Sequence, residues 1–302
     1  MTHQPIDPQP GERREDITFV SLMQQGMSSN IYLTWHHRYL APMVCKMLRA
    51  EEYSDARWRQ LLQNEAQVIQ KVTHPNIVRL FEMNMDAPLP YILLDYLPGQ
   101  TVRRFLRQTG RFNLQDALRL IISVGATLAH VHHSGYIHRD VKPSNVMLHA
   151  GYVKLFDFGV AWPLSHQKPP DKSGTPMYLA PEQCRQQVLT PATDIWQLGI
   201  FLFELLTNQL PFAKSNYDDY DAPPEKRYSQ LTMPPKTLQE AGRRAPIAVQ
   251  RILNRCLAFE ATERYQKIED FLIELDPLCK TKIWPALPVL TGKPHTIADF
   301  IL

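Results

Sequence analysis

The run TPATDIWQLGIFLFELLTN, residues 190–208, sets the first constraint on this chain. Read at the helical period it is apolar nearly all round, and a helix of that kind belongs at the buried centre of a larger unit. It is not a membrane span. Its longest apolar stretch, LGIFLFELL, falls far short of the ~20 residues a bilayer requires and contains Glu204. A chain of 302 residues, 44% of them hydrophobic, can provide such burial as one large domain or as two lobes.

The rest of the chain divides around that helix. Residues 1–15, MTHQPIDPQPGERRE, are polar and Pro-rich and read as a flexible N-terminal arm without a signal core. ITFVSLM, NIYLTWH and MVCKML follow as short strands, then a helix from Ser54 to Val72 with an apolar stripe at Leu61, Leu62, Val68 and Ile69. HPNIVRLFEM and PYILLDYL read as two more strands. After LPGQT a helix from about Asn113 to Ser134 is closed by Gly135. Short strands at NVML and YVKLF, and helices around 246–258 and 266–275, complete the larger part. These readings give a small lobe over 16–96, a large lobe over 97–277 and a tail over 278–302.

Composition excludes more than it selects. A net charge of +3 makes no case for nucleic acid, and clusters such as RWRQ and RRFLRQ read as solvated helix faces. The four cysteines are scattered without C-x-x-C spacing, as expected of reduced thiols in a cytoplasmic protein with no membrane span.

HPNIVRL, HRDVKPSN, DFG and GTPMYLAPE occur in order, at residues 74–80, 138–145, 157–159 and 174–182. In that order and spacing the chain resembles the eukaryotic-like (Hanks-type) serine/threonine protein kinases, bacterial ones included, over about residues 17–275. The resemblance implies an α+β, bilobal protein-kinase fold: a small β-rich N-lobe with one main helix, and a larger, mainly helical C-lobe. It implies transfer of the γ-phosphate of Mg-ATP to Ser or Thr hydroxyls of protein substrates, with autophosphorylation. Phosphoryl transfer asks mainly for positioned charge, so the residues to find are carboxylates, a lysine and oxygen ligands for Mg2+.

Carried onto this sequence, the resemblance makes Asp140 the base and Lys142 a partner of the transferring phosphate that favours Ser/Thr acceptors. It makes Asn145 and Asp157 the Mg2+ ligands, and Lys46 of MVCK the phosphate lysine held by Glu65. Gly26, Ile31, Val44, Asp95, Leu97 and Met147 would meet ATP, with Leu94 as gatekeeper and Asp95, Tyr96 and Leu97 as hinge. Ile69, Leu80, His138 and Phe158 match an apolar column, Glu182 should pair with Arg264, and Asp194 should tie the catalytic loop to the central helix. Thr175 should brace Asp140 and Lys142. Asp171 stands where a regulatory phosphate is often found, and reads either as a carboxylate pairing with Arg139 or as an exposed loop residue.

The departure lies in QQGMSSNIY. Against G-x-G-x-x-G-x-V it offers Gln24, Gly26, Ser29 and Ile31, so only the central glycine is kept. If Gln24 takes a left-handed backbone, strain of roughly 1–2 kcal/mol follows, about a 5- to 30-fold loss in ATP affinity. Val44 replaces a usual alanine and should tighten the nucleotide pocket. The worn loop keeps a second reading open, a pseudokinase acting as a nucleotide-binding or scaffold module.

Overall fold

The computed structural model describes residues 5–149, 151–166, 173–213, 217, 219 and 222–280. The chain forms two compact units; the first ends at Pro98 and the second begins at Gly99.

Among the described residues, the first unit is a sheet with one helix. Strands β1 (Arg13–Arg14), β2 (Ile17–Gln25), β3 (Ser29–His36), β4 (Ala41–Leu48), β5 (Leu80–Asn84) and β6 (Tyr91–Asp95) form an antiparallel sheet in the order β1-β2-β3-β4-β6-β5. Side chains alternate between its faces. Tyr32, Cys45 and Leu93 are cross-strand partners and pack on one face with Phe19, Met43, Met47 and Tyr91. The register puts Ile31 opposite Lys46, and Leu33 and Leu94 opposite Val44, on the other face.

Helix α1 (Ala56–Lys71) starts at Asp55, whose carboxylate accepts from the N–H of Arg57 at 2.9 Å. Its buried residues Leu62, Glu65, Ala66 and Ile69 follow the i, i+3, i+4, i+7 spacing, so Glu65 lies in the core-facing stripe.

Two readings of this unit change. HPNIVRLFEM becomes a strand only from Leu80, because the stretch from His74 turns on itself, Ile77 N–H donating to His74 O at 3.0 Å. Residues 5–15 are not a free arm. Asp7 accepts from the N–H of Ala50 at 3.0 Å and from Asn30 Nδ2 at 3.1 Å, and Arg14 donates to Ile6 O at 2.8 Å. Polarity in that segment serves hydrogen bonds to the sheet rather than solvation alone.

The second unit is mainly helical. Strand β7 (Gln100–Thr101) leads into α2 (Val102–Thr109), followed by α3 (Leu114–His133), β8 (Tyr136–Ile137), β9 (Val146–His149), β10 (Tyr152–Leu155) and β11 (Trp162–Pro163). Then come α4 (Pro181–Cys184), α5 (Pro191–Thr207), α6 (Pro224–Arg227), α7 (Ile247–Cys256) and α8 (Ile268–Leu275). Every residue of α5 from Ala192 to Thr207 is buried, with α3, α7 and α8 packed against it. Gly199 permits one of these approaches, since a Cβ there would stand 2.7 Å from Cys256 Cβ. Helix α3 closes at Ser134 with Gly135 at φ +84°, the left-handed residue the sequence expects there.

Residues 278–280 belong to this unit, with a 3-10 turn over Asp276–Leu278; the remainder of the expected tail lies outside the described residues. Among the described residues no helix is long and apolar enough to cross a membrane.

Candidate active site

In the first unit, Lys46 Nζ meets Glu65 Oε2 at 2.6 Å, the glutamate only 2% exposed. Helix periodicity delivers the carboxylate and strand alternation delivers the ammonium, so the pair follows from two separate local rules. A buried carboxylate without a cation would be costly, and Lys46 offsets that cost.

Ile31 and Val44 belong to the same sheet, and Gly26 lies in the loop between β2 and β3. Ile31 and Val44 are half-buried on the Lys46 face. Asp95 ends β6, and its carboxylate accepts from Arg79 N–H at 3.0 Å. Leu97 follows, with neither its N–H nor its C=O in a backbone hydrogen bond among the described residues.

The loop from Gln24 to Ile31 departs from expectation. Neither Gln24 nor any other residue between 24 and 31 has positive φ, and Gln24 sits in the β2–β3 ladder opposite Ile31. The condition for left-handed strain at Gln24 is therefore not met. Gly26 is needed for a different reason: its N–H donates to Ser29 O at 3.0 Å, and a Cβ there would lie 2.5 Å from that oxygen.

In the second unit, Asp140 is held on both carboxylate oxygens. Oδ2 accepts from Lys142 Nζ at 2.6 Å and Asn145 Nδ2 at 3.1 Å, and Oδ1 accepts from Thr175 N–H at 2.9 Å. Lys142 also donates to Thr175 Oγ1. Thr175 thus braces both residues, as the sequence reading has it. Asn145 spends its amide nitrogen on Asp140, both the side chain and the backbone oxygen at 2.9 Å, which leaves its amide oxygen directed elsewhere. Asp157 is half-buried with φ +67°, and Met147 lies on β9 opposite Lys154 and Thr101. An amide oxygen and a carboxylate are hard donors of the kind Mg2+ takes, so the residues present fit that ion.

A buried polar frame holds this loop to α5. Asp194 accepts from the N–H groups of His138 and Arg139, both at 2.9 Å, and from His132 Nε2 at 2.8 Å. Burial pushes the Asp194 carboxyl up, but the His132 hydrogen bond and charge and the nearby His138 outweigh it and hold the group below the usual carboxylate range. His138 accepts at Nδ1 from Asp140 N–H at 3.3 Å, faces Phe156 O through Nε2 at 3.3 Å, and packs on Phe158 with ring centroids 4.7 Å apart. Its burial lowers the imidazole pKa, more than Asp194, Asp140 and Asp157 raise it.

Glu182 and Arg264 form the expected pair at 2.9 and 3.0 Å, with Arg264 stacked over Trp196 at 4.8 Å. Ile69 and Leu80 belong to the first unit; Ile69 is buried and Leu80 half-buried. Asp171 lies outside the described residues. Arg139 donates to Val160 O at 3.1 Å and stands over the Trp162 ring at 5.8 Å.

Gln183 and Gln197 were missed by the sequence reading. Gln197 takes the N–H of Val141 on its oxygen at 2.7 Å and donates to Arg139 O at 2.6 Å; Gln183 donates to the same carbonyl at 3.1 Å. The available signal was a lone amide inside an otherwise apolar helix, DIWQLGIF. Such a group is kept in a core only with partners.

Comparison with known proteins agrees with this geometry. The family described as protein kinase domain matches residues 18–272. The chain is 29% identical over 249 residues to serine/threonine-protein kinase PrkC of Bacillus subtilis, covering 81% of this chain and 38% of that protein. It is 31% identical over 262 residues to serine/threonine-protein kinase PksC of Streptomyces coelicolor, covering 82% of this chain and 46% of the relative. It is 29% identical over 259 residues to serine/threonine-protein kinase PknB of Mycobacterium leprae, covering 83% and 41%. The chain therefore spans less than half the length of these relatives. With its family match covering most of its length, the chain belongs to the protein kinase domain family.

Proposed function

We propose that this chain transfers the γ-phosphate of Mg-ATP to Ser or Thr hydroxyls of protein substrates, its own included. The observation that carries the proposal is the arrangement about Asp140, fixed through both oxygens by Lys142, Asn145 and Thr175. Asp140 would accept the proton of the acceptor hydroxyl. Lys142 would face the transferring phosphate, with Thr175 setting its direction. Lys46, oriented by Glu65, would take the nucleotide phosphates, and Leu97 and the backbone about Asp95 would meet adenine. Met147, Ile31, Val44 and Gly26 would border the nucleotide. Asn145 and Asp157 would hold Mg2+, which supplies neutralisation of phosphate charge when bound.

The pseudokinase reading rests on the sparse glycine loop, and that loop contains no residue whose backbone demands glycine by φ. Its ground is thereby weakened, while the sequence retains Lys46, Glu65, Asp140, Asn145 and Asp157.

The test is intact mass of phosphatase-treated protein after incubation with Mg-ATP, with generic acceptor proteins in parallel and Asp140→Asn as control. Phosphate gained by the wild type alone supports transfer. No gain on the protein or on any acceptor, together with no ATP binding, would reject it.

A further inference from the structure

Three successive carbonyls of the β2–β3 loop converge on one residue. Arg49, next after β4, donates its backbone N–H to Ser28 O at 3.0 Å. Its Nη1 donates to Gly26 O at 3.3 Å and to Met27 O at 3.2 Å. In a trans peptide the C=O and N–H point in opposite directions. The N–H groups of Met27, Ser28 and Ser29 are thus turned away from Arg49. Those of Met27 and Ser28 enter no backbone hydrogen bond among the described residues. Consecutive N–H groups on one side of a turn make a concavity for an anion.

Arg49 is itself fixed. Its side chain is 17% exposed and ion-paired with Glu51. The residues around it are tied down: Leu48 N–H to Pro90 O at 2.9 Å, Ala50 N–H to the Asp7 carboxylate at 3.0 Å, and Glu52 N–H to Arg49 O at 3.0 Å. The guanidinium therefore acts from an anchored stretch, not from a mobile side chain.

We propose that Arg49 is a positioning residue for the nucleotide triphosphate. By holding the carbonyl side of residues 26–28, it presents the amide side as a preset group of donors. A loop with several glycines is shaped by its freedom; this one is shaped by an arginine brace. The proposal rests on the Mg-ATP reading above.

The test compares wild type, Arg49→Ala and Arg49→Lys of the full chain in titrations with Mg-ATP and with adenosine, and follows exchange of the Gly26 N–H by NMR without nucleotide. Arg49→Ala should weaken Mg-ATP roughly tenfold, the scale of one charge-assisted hydrogen bond, and leave adenosine affinity unchanged. Gly26 exchange should accelerate, and Arg49→Lys should recover part of both effects. Unchanged ATP affinity in Arg49→Ala overturns the proposal. So does an equal loss for ATP and adenosine, which would report a damaged sheet. A wild type that binds no ATP overturns the Mg-ATP reading and this proposal with it, and that failure appears before any variant is compared.

Discussion

Gln197 grips Asp140 by its two neighbours: the side-chain amide donates to Arg139 O at 2.6 Å and accepts from Val141 N–H at 2.7 Å. Asp140 is only 6% exposed, and the peptides on either side of it are fixed to the central helix by one side chain. Gln197→Leu keeps the volume and removes both bonds. The Val141 N–H is then unpaired in the core, and stability should fall by about 2–4 kcal/mol, read by urea denaturation. Turnover should fall on the order of tenfold or more through misplacement of Asp140, with the KM for ATP little changed. Unchanged turnover in a folded variant would show that Asp194 and Gln183 hold the loop by themselves.

Removing only the cation from the Lys46–Glu65 pair should be worse than removing both charges. Lys46→Met deprives a 2% exposed carboxylate of a partner, at a cost of about 3 kcal/mol. The double variant Lys46→Met/Glu65→Leu should regain part of that stability. Both variants should lose phosphoryl transfer. A double variant no more stable than Lys46→Met would mean that Glu65 is satisfied without the lysine.

Restoring a glycine at Gln24 should bring little. Since Gln24 pairs in the ladder at ordinary φ, Gln24→Gly should change ATP affinity by less than about twofold, with any effect tending to loosen the strand. Gly26→Ala should instead weaken binding, because its Cβ would press on Ser29 O. Isothermal titration of both variants checks this. A large gain from Gln24→Gly would restore the strained-loop account.

Acid should destabilise the second unit in two stages. His138 has a lowered pKa when folded, because burial disfavours its charged form. Its stabilising contribution is present above the ordinary histidine pKa of about 6.5 and is lost as pH falls from there toward the folded value. The Asp194 carboxyl is also held low, so its contribution is present above the ordinary aspartate pKa of about 3.9 and is lost as pH falls through the lower folded value. Urea midpoints measured from pH 7.5 downward should decline first below about 6.5. In His138→Phe that first decline should shrink. An unchanged profile in the variant would assign the loss to other groups.

Much of the second unit was legible because its signals are local. The α5 helix announces itself by all-round apolarity, α3 by Asn113 at one end and Gly135 at the other, and the residues around Asp140 by short fixed spacings. Glu65, named through the resemblance, falls on the buried stripe of one helix. Short-range rules suffice where the backbone's own period sets the direction of a side chain.

Other features depended on partners far along the chain. That residues 5–15 pack on the sheet was decided by Asp7 meeting Ala50, 43 positions away. That Gln24 needs no left-handed backbone was decided by the β2–β3 register, and that Arg49 braces the loop by where β4 ends beside it. Gln197 looked like one polar residue in an apolar helix until Val141, 56 positions earlier, was placed against it. The sequence by itself supplied the groups proposed to carry the chemistry, since residue type fixes what can ionise or donate. Only the tertiary structure decided how they are held, because a hydrogen bond between distant segments depends on packing that no local pattern records.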